Sequence, residues 1–152
     1  MKKVLIAVDY NPVSEQVVKA GYKLAQTMGS QVCLIHVVSD ISFYGIQYPT
    51  FMGYEGYNEI TTDLSMAAEM RKVAEDFLKT AADHLNNPSV STHLADGETA
   101  REILNYSKKW KADLLVMGTH SHSVLEKLLM GTVASKVLEK TEIPVFMVPV
   151  KK

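Results

Sequence analysis

The sequence predicts an α/β fold, in which an open sheet of five largely parallel strands carries helices on both faces. Short apolar runs rich in β-branched residues alternate along the chain with longer stretches of helical periodicity. Strands separated by helices of this length cannot pair as hairpins, so the sheet is expected to be largely parallel. The length of 152 residues suits one domain, and we expect residues 1–152 to form it.

The first half of the chain contains two predicted strands and two predicted helices. KVLIAV, residues 3–8, is apolar nearly throughout, which is typical of a strand buried on both faces. Helical spacing follows, with Ser14 as its N-cap and Gly29 as its C-terminal stop. A second strand spans residues 31–38. A long helix with one apolar stripe is predicted from about residue 63 to residue 85.

The second half repeats the alternation. SVSTHLA, residues 89–95, is short and polar for a strand, which favours a place near a sheet edge. The remaining predicted elements are a helix over residues 98–110, a strand over 113–118, a helix over 132–142 and a strand over 144–150.

Composition excludes several classes of partner. Sixteen basic and seventeen acidic residues give a net charge of −1, without the basic face of a nucleic-acid binder. No apolar stretch approaches the roughly 20 residues that cross a bilayer, and the amino terminus reads as a strand instead of a signal peptide. The single cysteine, Cys33, fits a reducing compartment. We therefore expect a cytoplasmic protein with neither nucleic acid nor membrane as a partner.

The carboxyl ends of the strands are the expected ligand side, because open α/β sheets bind ligands where the strand order reverses. Asp9 and Gly118 end the predicted first and fourth strands, and they share a crevice if those strands are neighbours. The loop from Gly118 through His120 and Ser121 can turn its N–H groups inward to hold an anion. Gly131 and Thr132 open a helix whose first N–H groups are unpaired and attract negative charge. These features predict a phosphate site.

The same residues carry a family resemblance. Gly118, two residues, Ser121, nine residues, Gly131 and Thr132 resemble the ATP-binding signature of the universal stress protein family, which has a second glycine where Ser121 stands. KKVLIAVDYNPVSEQVVKAG, LIHVV, DGETAREIL and ADLLVMGTHS are similar to other family segments, so the resemblance covers nearly the whole chain. It implies a Rossmann-like fold of the adenine-nucleotide α-hydrolase type with strand order 3-2-1-4-5, in which strands one and four are neighbours.

The resemblance also implies a site for ATP or a related adenine nucleotide such as ADP or AMP. Adenine would contact the backbone of Ala7 and Val8 and pack on Val37. Asp9 would lie near the ribose or phosphates, where Mg²⁺ bound with the nucleotide is a possible partner. The residues implied on the phosphate and ribose side are Met117, Gly118, His120, Ser121, Gly131, Thr132, Val133 and Ala134.

Several of these residues have structural alternatives. Asp9 is also suited to ending a strand and capping a turn. His120 and His122 are more typical of a solvated loop than of a metal pair, because alternate loop residues diverge. His36 is expected to bond a backbone group in the core, and Cys33 to act as a small core residue.

No catalytic residue is predicted. The sequence has neither a supported Ser/His/Asp arrangement nor a GxxxxGK[ST] loop, and no glycine-rich loop follows the first strand. We expect a nucleotide-dependent sensor or adaptor of the stress response, with at most slow ATP hydrolysis.

Two further segments indicate protein contacts. Residues 42–58 hold six of the twelve aromatic residues, and this long connection is interpreted as a lid, a docking loop or a cover for its own core. The alternative function is a nucleotide-free dimeric interaction protein that acts through this segment. The fifth strand, residues 144–150, is apolar and at an edge. Family members commonly dimerise through this strand, so the resemblance implies a homodimer. We also expect an unknown protein partner to respond to nucleotide occupancy.

Overall fold

The computed structural model describes residues 1–10, 14–38, 66–119 and 131–150. Its elements are β1 (Lys3–Ala7), α1 (Ser14–Met28), β2 (Gln31–Val38), α2 (Met66–Asp83), β3 (Ser91–Asp96), α3 (Thr99–Trp110), β4 (Leu114–Gly118), α4 (Thr132–Lys140) and β5 (Val145–Val148). The five strands in these residues form one parallel sheet in the order β3-β2-β1-β4-β5. The predicted fold class and the strand order implied by the resemblance are confirmed.

Helices cover both faces of the sheet, and its central strands β2, β1 and β4 are buried, as their apolar sequences predict. Successive residues of β1 alternate between the faces, so Val4 and Ile6 pack with α1 and α2 while Leu5 packs with α3 and α4. The largest of the fully buried side chains is Phe77 of α2. Burial of each large apolar side chain contributes roughly 1.5–3 kcal/mol. The sheet is therefore a rigid central layer that fixes the positions of the loops at its two ends.

Close packing holds α1 over the middle of the sheet. An ideal Cβ on Gly21 would lie 2.9 Å from Ile6 Cδ1 and 3.0 Å from Val116 Cγ1, so a side chain at this position would force these neighbours or the helix to shift. At the end of α1, Gly29 has a φ angle of +63°, and the N–H of Ser30 donates to the carbonyl of Ala25 over 2.9 Å. The predicted stop at Gly29 is confirmed, because this left-handed conformation suits glycine.

Prolines make the last two elements shorter than predicted. Helix α4 ends at Lys140 instead of residue 142, and Thr141 is extended at φ −71° and ψ 146°. Pro144 follows three residues after Thr141, and a proline disfavours helical geometry in the residue before it, here Ile143, so the helix has to end before that residue. Strand β5 has four residues instead of seven, since Pro144 and Pro149 have no N–H to donate to the ladder.

The remaining boundaries lie close to their predicted positions. Helix α3 starts at Thr99, because Glu98 is its N-cap. Strand β3 lies at an edge, as its polarity predicted. The predicted start of α2 at residue 63 and the aromatic segment 42–58 lie outside the described residues. No helix in the described ranges is long and apolar enough to cross a membrane.

Candidate functional site

The candidate site lies where β1 and β4 end side by side. Strand β1 pairs with β2 on one side and with β4 on the other, and Ile6 is opposite Val116 in the second pairing. After β1 the chain enters α1 on one face of the sheet, whereas after β4 it enters α4 on the other face. Diverging connections of this kind leave a crevice at the carboxyl ends of two neighbouring parallel strands.

The start of α4 is open toward this crevice. Gly131 is the N-cap, with φ −70° and ψ 164° and no side-chain cap. Its N–H donates to the carbonyl oxygen of Thr119 over 2.7 Å, which holds the helix start beside the end of β4. Within the described ranges, no group accepts a hydrogen bond from the N–H groups of Thr132, Val133 or Ala134. These groups and the helix dipole favour an anion in front of α4.

Among the described residues, little lies close to Gly131 in front of the helix. An ideal Cβ there would have only the carbonyl oxygen of Thr119, at 3.8 Å, within 4 Å among the described atoms. The φ angle of −70° is open to any residue. Neither backbone strain nor packing against described residues therefore requires this glycine, whereas close approach of a ligand would.

Close packing explains why position 118 is a glycine. An ideal Cβ would lie 2.9 Å from Val17 Cγ2 and 2.9 Å from Val150 Cγ2, so the end of β4 is in close contact with α1 and with the chain after β5. The next N–H, of Thr119, donates to the carbonyl of Val148 over 3.0 Å and extends the pairing of β4 with β5. That N–H therefore does not point into an anion nest. His120 and Ser121 lie outside the described residues.

One apolar cluster, which is largely buried, joins most of the remaining residues proposed from the sequence. It lies on the side of the sheet covered by α3 and α4, and it contains Ala7, Val37, Met117, Val133 and Ala134. Val8 is part of the core on the opposite face. Its N–H donates to the carbonyl of Ile35 over 2.9 Å, so Val8 offers a ligand no free N–H.

Asp9 connects the end of β1 to the start of α1. The buried hydroxyl of Ser14 donates to Asp9 Oδ1 over 2.5 Å and accepts from the Asp9 N–H over 3.4 Å. This pairing agrees with the capping interpretation of Asp9, and it also fixes the carboxylate at the mouth of the crevice. The described residues contain no group of three or more His, Cys, Asp or Glu side chains that could hold a metal ion. A single carboxylate supports Mg²⁺ only together with ligands such as phosphate and water.

His36 is hydrogen-bonded to the backbone just after the end of β1. Its Nδ1 lies 2.8 Å from the Val8 carbonyl oxygen, and because a carbonyl can only accept, Nδ1 carries the proton. Its ring packs against Tyr10 and Phe77 at centroid distances of 4.8 and 5.4 Å. Burial lowers the pKa of His36, while the Val8 bond and the charge of Asp9 act in the opposite direction. The predicted backbone bond is confirmed, and a neutral imidazole fits this environment.

Comparison with known proteins assigns the family. The sequence model of the universal stress protein family matches residues 1–149. The chain belongs to the universal stress protein family. Universal stress protein MJ0531 of Methanocaldococcus jannaschii is 30% identical over 149 residues, covering 97% of this chain and 81% of the relative. Universal stress protein YxiE of Bacillus subtilis is 30% identical over 152 residues, covering 96% of this chain and 97% of the relative.

Solved structures share the fold. The hypothetical protein MJ0577 superposes with a TM-score of 0.74 at 21% identity, covering 99% of this chain and 97% of that one. A universal stress protein in complex with cAMP has a TM-score of 0.58 at 17% identity, with 97% and 95% coverage. A universal stress protein of Archaeoglobus fulgidus in complex with dAMP has a TM-score of 0.59 at 17% identity, with 99% and 98% coverage. At these identities the likeness shows a common fold.

Two polar contacts near the site were missed in the sequence. The bond between Ser14 and Asp9 had a weak signal, a serine at a helix start five residues after a carboxylate. The ion pair between Glu98 at the start of α3 and Lys136 in α4 had none, because 38 residues separate its partners.

Proposed function

We propose that this universal stress protein binds ATP or a related adenine nucleotide at the carboxyl ends of β1 and β4. The observation that carries the proposal is the start of α4, where an uncapped glycine leaves N–H groups open beside the end of β4. In the proposal, nucleotide occupancy changes the surface that a partner reads, so the protein is a sensor or adaptor of the stress response.

The chemistry of the crevice suits an adenine nucleotide. The open N–H groups and the dipole of α4 match a phosphate, and the exposed Thr132 can add a hydroxyl donor. The apolar cluster that contains Val37 and Met117 lies at the carboxyl ends of β2 and β4, where an aromatic base would pack against it. Family members solved with cAMP and with dAMP lend support, since both ligands combine adenine with phosphate.

The remaining proposed contacts follow the family resemblance. Asp9 would face the ribose or phosphates and could share Mg²⁺ with the nucleotide. Ala7 and Val8 would border the base, with Val8 acting by backbone contact because Ile35 and His36 engage its N–H and its carbonyl. His120 and Ser121 would complete the phosphate side. We propose binding without a catalytic residue.

We also propose that two copies pair through β5. This strand lies at an edge of the sheet, and Phe146 on it is 40% exposed. An unpaired strand edge with an exposed aromatic residue is suited to strand addition. Four strand residues between two prolines give a short ladder, so side-chain contacts such as those of Phe146 would carry much of the association.

The nucleotide proposal is tested first on the purified wild-type protein. Mass spectrometry identifies any small molecule released on denaturation, and calorimetry then measures ATP binding with Mg²⁺ to the stripped protein. Release of an adenine nucleotide, or saturable ATP binding, is expected. Release of none, together with no heat of binding up to millimolar ATP, would refute the proposal.

Gly131→Val then locates the site. Valine fills the space in front of α4, so ATP affinity should fall at least about tenfold, the equivalent of 1.4 kcal/mol. Thr141→Val, at the other end of the same helix, is the matched control and should bind as the wild type does. Circular dichroism and thermal unfolding establish that both variants are folded. Equal affinity in Gly131→Val and wild type would exclude this location.

A further inference from the structure

An ion pair joins α3 to α4 beside the candidate site. Lys136 Nζ lies 3.4 Å from Glu98 Oε1, and the two side chains are 53% and 45% exposed. The pair therefore spans two helices at the surface. Exposed pairs of this kind contribute little to stability, so their partners can be exchanged at small cost.

Glu98 has a fixed position in this pair. It is the N-cap of α3, and its Oε2 accepts from the Arg101 N–H over 2.8 Å. That bond, with a smaller contribution from Lys136, lowers the pKa of Glu98 and keeps it a carboxylate. Lys136 thus extends to the start of α3, and its ammonium is placed by a carboxylate that has a second, structural task.

The ammonium of Lys136 also lies on the ligand side of the sheet. Helices α3 and α4 cover the same face, and each follows the carboxyl end of a parallel strand, so both begin at the same edge. A helical side chain leans toward the N-terminus of its helix, which directs Lys136 over the turn that begins at Thr132. This is the turn whose first N–H groups are open.

The ammonium of Lys136 lies beside the start of α3, which is an unfavourable place for a cation. Helix N-termini favour anions and disfavour cations, so an ammonium there requires a negative partner. Glu98 supplies that charge. The phosphate chain of a nucleotide would supply more of it, and it would also contact the open N–H groups of α4.

We propose that Lys136 is a specificity-determining residue that contacts the phosphate chain, and that Glu98 competes with phosphate for its ammonium. The inference rests on the proposed nucleotide site and adds a preference to it. The phosphate chain of ATP would contact Lys136 in place of Glu98. A monophosphate would form a weaker contact with Lys136, and adenosine, which has no phosphate, would form none. The site should therefore favour ATP over AMP and adenosine.

Calorimetry with ATP, AMP and adenosine tests this preference in variants of both partners. Lys136→Met should weaken ATP binding about tenfold, the loss of one charge-assisted contact, and leave adenosine binding unchanged. Glu98→Gln removes the competing charge but keeps an oxygen for the Arg101 N–H, so ATP affinity should rise about two- to threefold. Lys140→Met removes the same charge one turn further along α4 and should bind all three ligands as wild type does.

The two variants are expected to change ATP affinity in opposite directions, which distinguishes a ligand contact from a structural role of the ion pair. If Lys136→Met binds ATP as wild type does, or loses ATP and adenosine equally, the inference is overturned while the nucleotide site stands. Unchanged or lower ATP affinity in Glu98→Gln overturns the competition. If wild type binds none of the three ligands, the proposed function and this inference fall together.

Discussion

Replacing Gly118 with alanine tests the close packing at the end of β4. The new Cβ would lie 2.9 Å from Cγ2 of both Val17 and Val150, whereas carbon atoms in contact normally lie about 3.5–4.0 Å apart. Overpacking of this kind costs roughly 1–3 kcal/mol. Alanine also lowers the entropy of the unfolded chain, which stabilises the folded protein by about 0.4–1 kcal/mol. We expect a net destabilisation of about 0.5–2 kcal/mol and a Tm lower by roughly 1–8 °C.

Urea and thermal unfolding of a double-mutant cycle measure the effect. Val17→Ala removes one of the two methyl groups in the clash, so alanine at position 118 should cost less in that background, with a coupling of about 0.5–1.5 kcal/mol. Gly131→Ala is the matched control. Its Cβ would meet only the Thr119 carbonyl oxygen, at 3.8 Å among the described atoms, so its stability should stay within about 1 kcal/mol of wild type. A Gly118→Ala protein as stable as wild type, or an additive cycle, would refute the packing explanation.

Three other predictions concern the site and the core beneath it. Gly131→Ser introduces a better N-cap at a φ angle that serine can adopt, so the free energy of unfolding should rise by about 0.5–1 kcal/mol. Calorimetry should show weaker ATP binding in the same variant, and a loss of stability would contradict the prediction. Because burial lowers the pKa of His36 below its ordinary 6.5, the unfolded chain binds the proton more readily, and stability should fall as pH drops below about 6.5. Urea midpoints between pH 7 and pH 5 should change less in His36→Gln, and an equal slope would exclude His36 as a source. Cys33 is fully buried and burial raises its pKa, so a thiol reagent should label it slowly in native protein and rapidly in urea; rapid native labelling would disprove its burial.

Much of the fold could be predicted because its strands are buried on both faces. Strands such as β1 and β2 are nearly continuous apolar runs, and Gly29 ends α1 in the left-handed conformation that its position suggested. The neighbours of each strand could not be obtained from periodicity, and the order came from the family resemblance. The ends of α4 and β5 were misplaced because hydrophobic pattern was given more weight than Pro144 and Pro149.

The sequence likewise predicts some features of the candidate site but not others. The residues named from the resemblance include five that share one apolar cluster. Alternation along β1 places Val8 on the opposite face, with Val4 and Ile6, but no pattern in the sequence shows that its N–H is engaged. The contacts of Gly118 with Val17 and Val150 connect segments far apart in the chain. Packing of this kind depends on the path of the whole chain through the fold.

The two ends of the described chain are not equivalent for attachment to a surface. The Met1 carbonyl accepts from Ser30 Oγ over 2.8 Å, and the Lys2 N–H donates to Asp113 over 2.8 Å, which places this end where β2 and β4 begin. Val150 lies beside Thr119, at the opposite end of the sheet. A sensor chip linked through the amino end would therefore leave the candidate crevice facing away from the chip, whereas a fluorescent protein fused after Val150 would be attached beside that crevice.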